Sequence, residues 1–187
     1  MNNIKISTKL FVMVFLTSFG LMVIGFYGLR NLSTVNASLE TVYKDRVLCL
    51  KQLKIVSDGY NIDIVDATQK MRNGTIDFKA GKRSIIKAQE EIKSNWKAYV
   101  ATYAVADEKK IAAQTEELMG NSDEAIASLL SIIDKEDKEA LAAFTVNELH
   151  PIIDPITTKI TELIDIQLSV AEEEYKVDIK KNFGRWR

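Results

Sequence analysis

The sequence predicts an all-α protein in which an N-terminal transmembrane helix continues into an up-down-up-down antiparallel four-helix bundle. Among the 187 residues there are only two prolines and eight glycines, and 47% are hydrophobic, which favours long helices over a turn-rich β fold. An uncharged apolar run near the N-terminus predicts the membrane helix. Apolar residues that recur at alternating spacings of three and four predict the packed helices after it.

The charge and the reactive side chains exclude several function classes. The net charge is -1, from 25 basic and 26 acidic residues, so no basic surface is expected to attract nucleic acid. Cys49 is the only cysteine and His150 the only histidine, so neither a disulfide nor a zinc site is expected. The sequence has no Gly-rich phosphate loop and no nucleophile elbow. We therefore expect neither a cofactor nor an enzyme activity.

The membrane helix is predicted over residues 10–29 (LFVMVFLTSFGLMVIGFYGL), twenty residues without a charge. At about 1.5 Å per residue this run spans the roughly 30 Å hydrocarbon core of a bilayer. Lys5 and Lys9 precede the run and Arg30 follows it, and the basic excess favours a cytoplasmic N-terminus. Residues 1–9 are therefore expected inside the cell and the bundle outside.

A cleavable signal peptide is the alternative interpretation, since Val35 and Ala37 resemble a cleavage site. The apolar run exceeds the roughly 7 to 15 residues of a signal core, which favours the membrane span.

The first helix of the bundle carries two apolar stripes. In the first stripe the apolar residues alternate at spacings of three and four, as in a heptad seam: Leu32, Val35, Leu39, Val42, Cys49, Leu53, Val56 and Tyr60. In the second stripe, on another face, they recur every seven residues: Leu48, Ile55 and Ile62. Two apolar faces require two kinds of neighbour, the other helices of the bundle and a second subunit. The pair Asn73-Gly74 is expected to end this helix.

Three further helices are predicted from the same spacing. The second carries Phe78, Ile85, Ile92, Trp96, Tyr99 and Tyr103; the third begins near Asp107 as N-cap and carries Ile111, Leu118, Ala125, Leu129 and Ile132. After a charged connector at residues 134–138 and a short helix near residues 141–144, Pro151 and Pro155 mark the first turns of the last helix. Its stripe is Ile156, Ile160, Leu163, Val170 and Val177. The bundle thus extends over residues 30–182.

The C-terminal letters KKNFGRWR combine basic and aromatic residues, as membrane-interface segments do. We expect residues 183–187 to be such a segment, before a second span that the chain lacks. A frayed basic end is the alternative.

The basic start, the span, the letters YKDRVLCLKQL early in a long first helix and the Asn-Gly break together resemble the sensor domain of bacterial methyl-accepting chemotaxis receptors. The likeness covers almost the whole chain, and sensor histidine kinases carry similar domains. The resemblance implies a dimeric bundle in the periplasm, anchored in the bacterial inner membrane, that binds a small ligand and moves its last helix relative to its first. It also implies a downstream cytoplasmic signalling module, which is not present in this chain.

Arg46 is the first candidate for ligand binding, because a guanidinium at a seam position is costly to bury unless it meets an anion. A small organic acid or amino acid would suit it. Alternatively, Arg46 reaches solvent along the seam or pairs with Asp45 or Glu40 of a partner helix. Lys54 and Arg72 are weaker candidates on the same helix.

Thr157 and Thr158 could offer hydroxyl groups to the same ligand from the last helix, since bundle sites are built by facing helices. Direct binding is one possibility, and recognition of a periplasmic binding protein is another. The rival interpretation is a single-pass structural anchor whose bundle only oligomerises.

Overall fold

The computed structural model describes residues 5–42, 46–102 and 105–184, and for residues 31, 33–42 and 177–184 it describes the backbone alone. All regular secondary structure in these ranges is helical. The chain forms two compact units, Met1–Tyr43 and Lys44–Arg187.

The first unit is a single long helix, α1 (Ile6–Val42). Its segment Ile6–Arg30 has a mean hydropathy of 2.2 and buries none of its side chains within the chain. Inside the apolar run, the Thr17 hydroxyl donates to carbonyl oxygens of the preceding helical turn, those of Met13 (3.1 Å) and Val14 (3.0 Å). Such internal bonding suits a nonpolar solvent. The segment is long and apolar enough to cross a membrane.

The predicted continuity between α1 and the bundle depends on residues 43–45, which lie outside the described residues. It stays a prediction.

The second unit is a bundle of four helices. The first bundle helix consists of α2 (Leu48–Asp58), a π-helical stretch (Gly59–Asp66) and α3 (Ala67–Arg72). The second is α4 (Phe78–Val100) and the third is α5 (Ala106–Asp134). The last consists of α6 (Lys138–Phe144), a second π-helical stretch (Thr145–Leu149) and α7 (His150–Gly184). The first helix packs against the second and the last, and the third packs against the last and the second, which confirms the four-helix bundle.

The helix ends follow local sequence signals. The first bundle helix ends at Arg72, and Gly74 takes a left-handed φ of 71°, so the predicted Asn73-Gly74 break is confirmed. Asp77 accepts a hydrogen bond from the backbone N–H of Ala80 and caps α4. The predicted N-cap Asp107 is wrong by two residues: Val105 is the N-cap and Asp107 lies in the first turn of α5. A carboxylate there still interacts favourably with the helix dipole.

The predicted short helix near residues 141–144 and the predicted start of the last helix at the prolines are both confirmed, since α6 spans Lys138–Phe144 and α7 begins at His150. The sequence did not predict that the two are joined without a break. The chain is helical from Lys138 onward, and the stretch Thr145–Leu149 widens to a π-helix immediately before Pro151. A proline ring clashes with the carbonyl group four residues earlier and donates no hydrogen bond. The wider turn makes room for the ring without ending the helix.

The core follows the predicted heptad pattern. All four bundle residues of the predicted seam are buried, namely Cys49, Leu53, Val56 and Tyr60, and so are Ile85, Ile92, Trp96, Tyr99, Ala125, Leu129, Ile156, Ile160 and Leu163. Burial of each of the larger apolar side chains contributes about 1.5 to 3 kcal/mol to the free energy of unfolding. This core is therefore the main source of the bundle's stability. Tyr103 and the side chain of Val177 lie outside the described residues.

Gly59 opens the π-helical stretch of the first bundle helix and lies against the second bundle helix. A Cβ atom added at Gly59 would lie 2.6 Å from Cγ1 of Ile92. That distance is far shorter than van der Waals contact, so the glycine is required by the spacing of the two helices.

Replacing Gly59 by alanine is therefore expected to lower the free energy of unfolding by about 1 to 3 kcal/mol, because the core is overpacked. Gly120 provides the matched control: it lies on an exposed helical surface, where an added Cβ meets nothing within 4 Å. Gly120→Ala should stabilise the bundle by about 0.5 to 1 kcal/mol through helix propensity. Urea denaturation of the full chain in detergent, followed by circular dichroism, measures both. Equal stability of the two variants would contradict the close approach.

Candidate functional site

A buried carboxylate organises the end of the bundle at which the first bundle helix begins. Glu108, in the first turn of α5, is only 1% exposed. Its Oε1 atom accepts hydrogen bonds from the Tyr99 hydroxyl and from the Gln167 side-chain amide. A carboxylate is costly to remove from water unless donors replace the lost hydration, and here α4 and α7 supply them.

Arg46 connects the first bundle helix to this network. Its Nη1 group donates to Oε1 of Gln167 (3.0 Å), while Nε and Nη2 donate to the two carboxylate oxygens of Glu174 (3.2 and 2.7 Å). The Arg46 side chain is 14% exposed and that of Glu174 is 50% exposed. The hydrogen bond to Glu174 raises the pKa of Arg46, against the opposing effect of burial. The first and last bundle helices are therefore joined by a charged, two-point contact.

The second bundle helix contributes further polar contacts at the same end. Burial and the neighbouring Glu108 raise the pKa of the Tyr99 hydroxyl, so this group stays a hydrogen-bond donor. Cys49 donates from its thiol to the Thr102 hydroxyl at 3.3 Å, and Thr102 in turn donates to the Tyr99 carbonyl oxygen. The network thus involves all four helices of the bundle.

The structure places the predicted binding residues apart from one another. Lys54 pairs with Asp58 of its own helix through two bonds of 2.9 Å, and Arg72 donates to Asn73 at the opposite end of the first bundle helix. Arg46 pairs with a carboxylate, but this carboxylate is Glu174 of the same chain, which the sequence did not single out as a partner. The alternative partners Glu40 and Asp45 lie where side chains are not described.

The two predicted threonines also lie away from Arg46. Thr157 and Thr158 both donate to the carbonyl oxygen of Asp154, at 3.1 and 2.8 Å. Thr157 precedes Gln167 by ten residues, which is about 15 Å along a helix. Arg46 cannot reach them, so the five predicted residues do not form a single site.

The sequence analysis missed Glu108, Gln167 and Glu174, although a signal was present. Along α5, the positions Glu108, Thr115 and Ser122 follow one another at intervals of seven, and all are buried. Ser122 shares a hydrogen bond of 3.3 Å with Tyr60, whose pKa burial raises to about 12. A heptad count that included polar residues would have found this seam; counting apolar residues alone could not.

A shallow groove of about 260 Å³ opens between the start of α5 and α7. It is lined by Val105, Asp107, Asp165, Ile166, Ser169, Val170 and Glu173. Its three carboxylates would repel an anion, so the groove does not suit the organic acid predicted as ligand. Within the described part of the chain, no three acidic, histidine or cysteine side chains converge as a metal site would require.

Gln167 is the residue whose loss should disturb the network most, because it bonds both Arg46 and Glu108. We expect Gln167→Leu to lower the free energy of unfolding by about 2 to 3 kcal/mol, since a guanidinium and a buried carboxylate each lose a partner. Thermal and urea denaturation of the full chain measures the change.

Glu173→Gln is the control on the same helix, because Glu173 is exposed and has no ion pair among the described residues. Its effect should stay within about 0.5 kcal/mol. A Gln167→Leu variant as stable as this control would refute the importance of the network.

Comparison with known proteins agrees with this architecture. Residues 3–181 match the family model described as a four helix bundle sensory module for signal transduction. The chain is 31% identical over 175 residues to the methyl-accepting chemotaxis protein NahY of Pseudomonas putida, an alignment that covers 94% of the chain and 32% of that relative. The chain thus spans about a third of the relative's length. No solved structure matches the chain significantly.

Proposed function

Because the chain belongs to the family of four-helix-bundle sensory modules for signal transduction, we propose that it is the membrane-anchored input module of a chemotaxis-type transducer. In this proposal residues 1–9 are cytoplasmic, residues 10–29 span the bacterial inner membrane, and residues 30–182 form the sensor in the periplasm. Residues 183–187 would lie at the membrane interface. The apolar and unburied segment Ile6–Arg30 supports the anchor.

One observation carries the proposal: the charged contact of Arg46 with Gln167 and Glu174 joins the first and last bundle helices. Arg46 follows the end of α1 by only four residues in the chain. Displacement of the last helix along the first would therefore act near the start of the first bundle helix, and the predicted continuity with α1 would carry it to the proposed membrane span. Packed helices slide by about 1 to 2 Å without unpacking, and we propose a movement of this size as the transmitted signal.

The ligand we propose is a small organic acid or amino acid whose carboxylate binds Arg46. The Arg46 side chain is largely buried, and the fork geometry of its guanidinium fits a carboxylate. The other predicted binding residues are not part of this proposal, because each of them already bonds its own helix or the adjoining residue: Lys54, Arg72, Thr157 and Thr158. Their role in ligand binding stays a prediction. A periplasmic binding protein is the alternative partner at this surface.

A second copy of the chain is the proposed neighbour of the outer apolar stripe on the first bundle helix. Ile62 of this stripe is 54% exposed, and Leu48 and Ile55 are half-buried. Leu168 and Tyr175, seven residues apart on the last helix, are also exposed. Heptad spacing on an uncovered surface is typical of a helix that packs against another subunit.

The transmission proposal is tested by linking the first and last bundle helices chemically. Gln69 and His150 approach each other to 3.2 Å at the end of the bundle opposite Arg46. The experiment uses a chimera in which the chain continues into the second span and signalling region of a chemotaxis receptor. Cys49→Ser removes the natural thiol, and Gln69→Cys with His150→Cys introduces a pair that a short thiol cross-linker joins. We expect the linked sensor to lose its kinase response to a panel of organic and amino acids, because the helices no longer slide.

The two single-cysteine variants, treated with the same reagent, control for modification alone and should respond normally. An unchanged response after complete cross-linking would rule out sliding between these helices. A chain that responds to no stimulus in any variant would favour the structural anchor.

The dimer proposal predicts that Ile62→Lys weakens self-association of the full chain by at least about tenfold, since a buried charge without a partner costs more than 1.4 kcal/mol. Val146→Lys is the control, because Val146 is similarly exposed, at 61%, and belongs to the last bundle helix but to neither apolar stripe. Sedimentation equilibrium in detergent measures both. Equal dissociation constants for the two variants would argue against this interface.

A further inference from the structure

The Arg46 guanidinium already holds a carboxylate, and that carboxylate belongs to the chain itself. Nε of Arg46 donates to Oε2 of Glu174 and Nη2 donates to Oε1, so the two groups meet side by side. This edge-on geometry is the one that a free carboxylate would adopt on an arginine. Glu174 therefore occupies the position that the proposed ligand needs.

The two partners of Arg46 differ in how readily they can leave it. Gln167 is 0% exposed and also bonds Glu108, so moving it would break two contacts in the interior. Glu174 is half exposed, and no other residue in the described part of the chain bonds its side chain. Its carboxylate can turn into water at small cost, since exposed ion pairs contribute roughly 0 to 1 kcal/mol.

We propose that Glu174 is a built-in competitor, which occupies Arg46 in the resting sensor and is displaced when an external carboxylate binds. This inference rests on the proposed role of Arg46 as the ligand receptor. Exchange of one carboxylate for the other releases α7 at Glu174 but leaves the bond between Arg46 and Gln167 in place. Ligand binding thereby frees the far part of the last helix from the first, which is the movement that transmission requires.

The competition is tested by titrating the full chain, in lipid nanodiscs, with sodium acetate against sodium chloride at constant ionic strength. The Nε–H signal of Arg46 in ¹⁵N NMR spectra reports occupancy of the guanidinium edge. Glu174→Gln should reach half-saturation at an acetate concentration about fivefold lower than the natural sequence does. The internal ion pair that acetate must displace is worth roughly 1 kcal/mol, which corresponds to about a fivefold change in affinity.

Glu173→Gln is the matched control. It removes the same negative charge from the adjacent residue, and Glu173 lines the neighbouring groove without touching Arg46. This variant should bind acetate as the natural sequence does. Circular dichroism verifies that both variants keep the helical fold.

The possible results separate the competitor from the receptor. An equal gain in Glu173→Gln and Glu174→Gln would show a general charge effect and overturn the competition. Half-saturation at the same acetate concentration in the natural chain and in Glu174→Gln would also overturn it, while Arg46 would remain the receptor. No acetate shift of the Arg46 signal in any variant would overturn both roles, and the cross-linking experiment would still test transmission independently.

Discussion

The need to satisfy one buried carboxylate governs how the four helices meet. Glu108 is nearly inaccessible to water, and an uncompensated charge in that position would cost several kcal/mol. Tyr99 and Gln167 donate to it directly, and Arg46 acts through Gln167. These residues come from the second, last and first bundle helices, while Glu108 comes from the third. The relative positions of all four helices are therefore fixed at this end by hydrogen-bond geometry.

The rest of the core imposes a weaker constraint on helix position. Leu53, Ile85 and Ile160 are fully buried in apolar surroundings, and such contacts have no preferred direction. Small sliding movements change their energy little, whereas a hydrogen bond weakens steeply when its geometry is lost. In the sliding mechanism that we propose, the apolar interior would permit the movement and the polar end would respond to it.

Irregular helix geometry occurs where the sequence prevents regular packing. The stretch Thr145–Leu149 widens before Pro151, and the stretch Gly59–Asp66 begins at the glycine that lies against Ile92. In both places a π-helical turn keeps the helix continuous although a proline ring or a close neighbour requires extra space. The first and last bundle helices can therefore stay unbroken over the length of the bundle. In the proposed mechanism this continuity matters, because a broken helix would not carry a displacement from one end to the other.

The amino-acid sequence by itself determined the helical class, the apolar segment, the buried seam and the end of the first bundle helix. Each of these is a local property: periodicity positions Cys49, Leu53 and Val56 in the core, and Gly74 tolerates a left-handed φ. Sequence also singled out Arg46, since a cation at a seam position needs a partner. It could not identify that partner.

Only the tertiary structure decided which groups meet Arg46 and Glu108. Glu174 follows Arg46 by 128 residues, and Gln167 follows Glu108 by 59. Pairing over such separations depends on the register between helices, and a spacing rule for one helix contains no information about its alignment with another. The sequence also predicted a separate short helix before Pro151, and only the structure shows that the π-helical stretch Thr145–Leu149 joins this helix to α7.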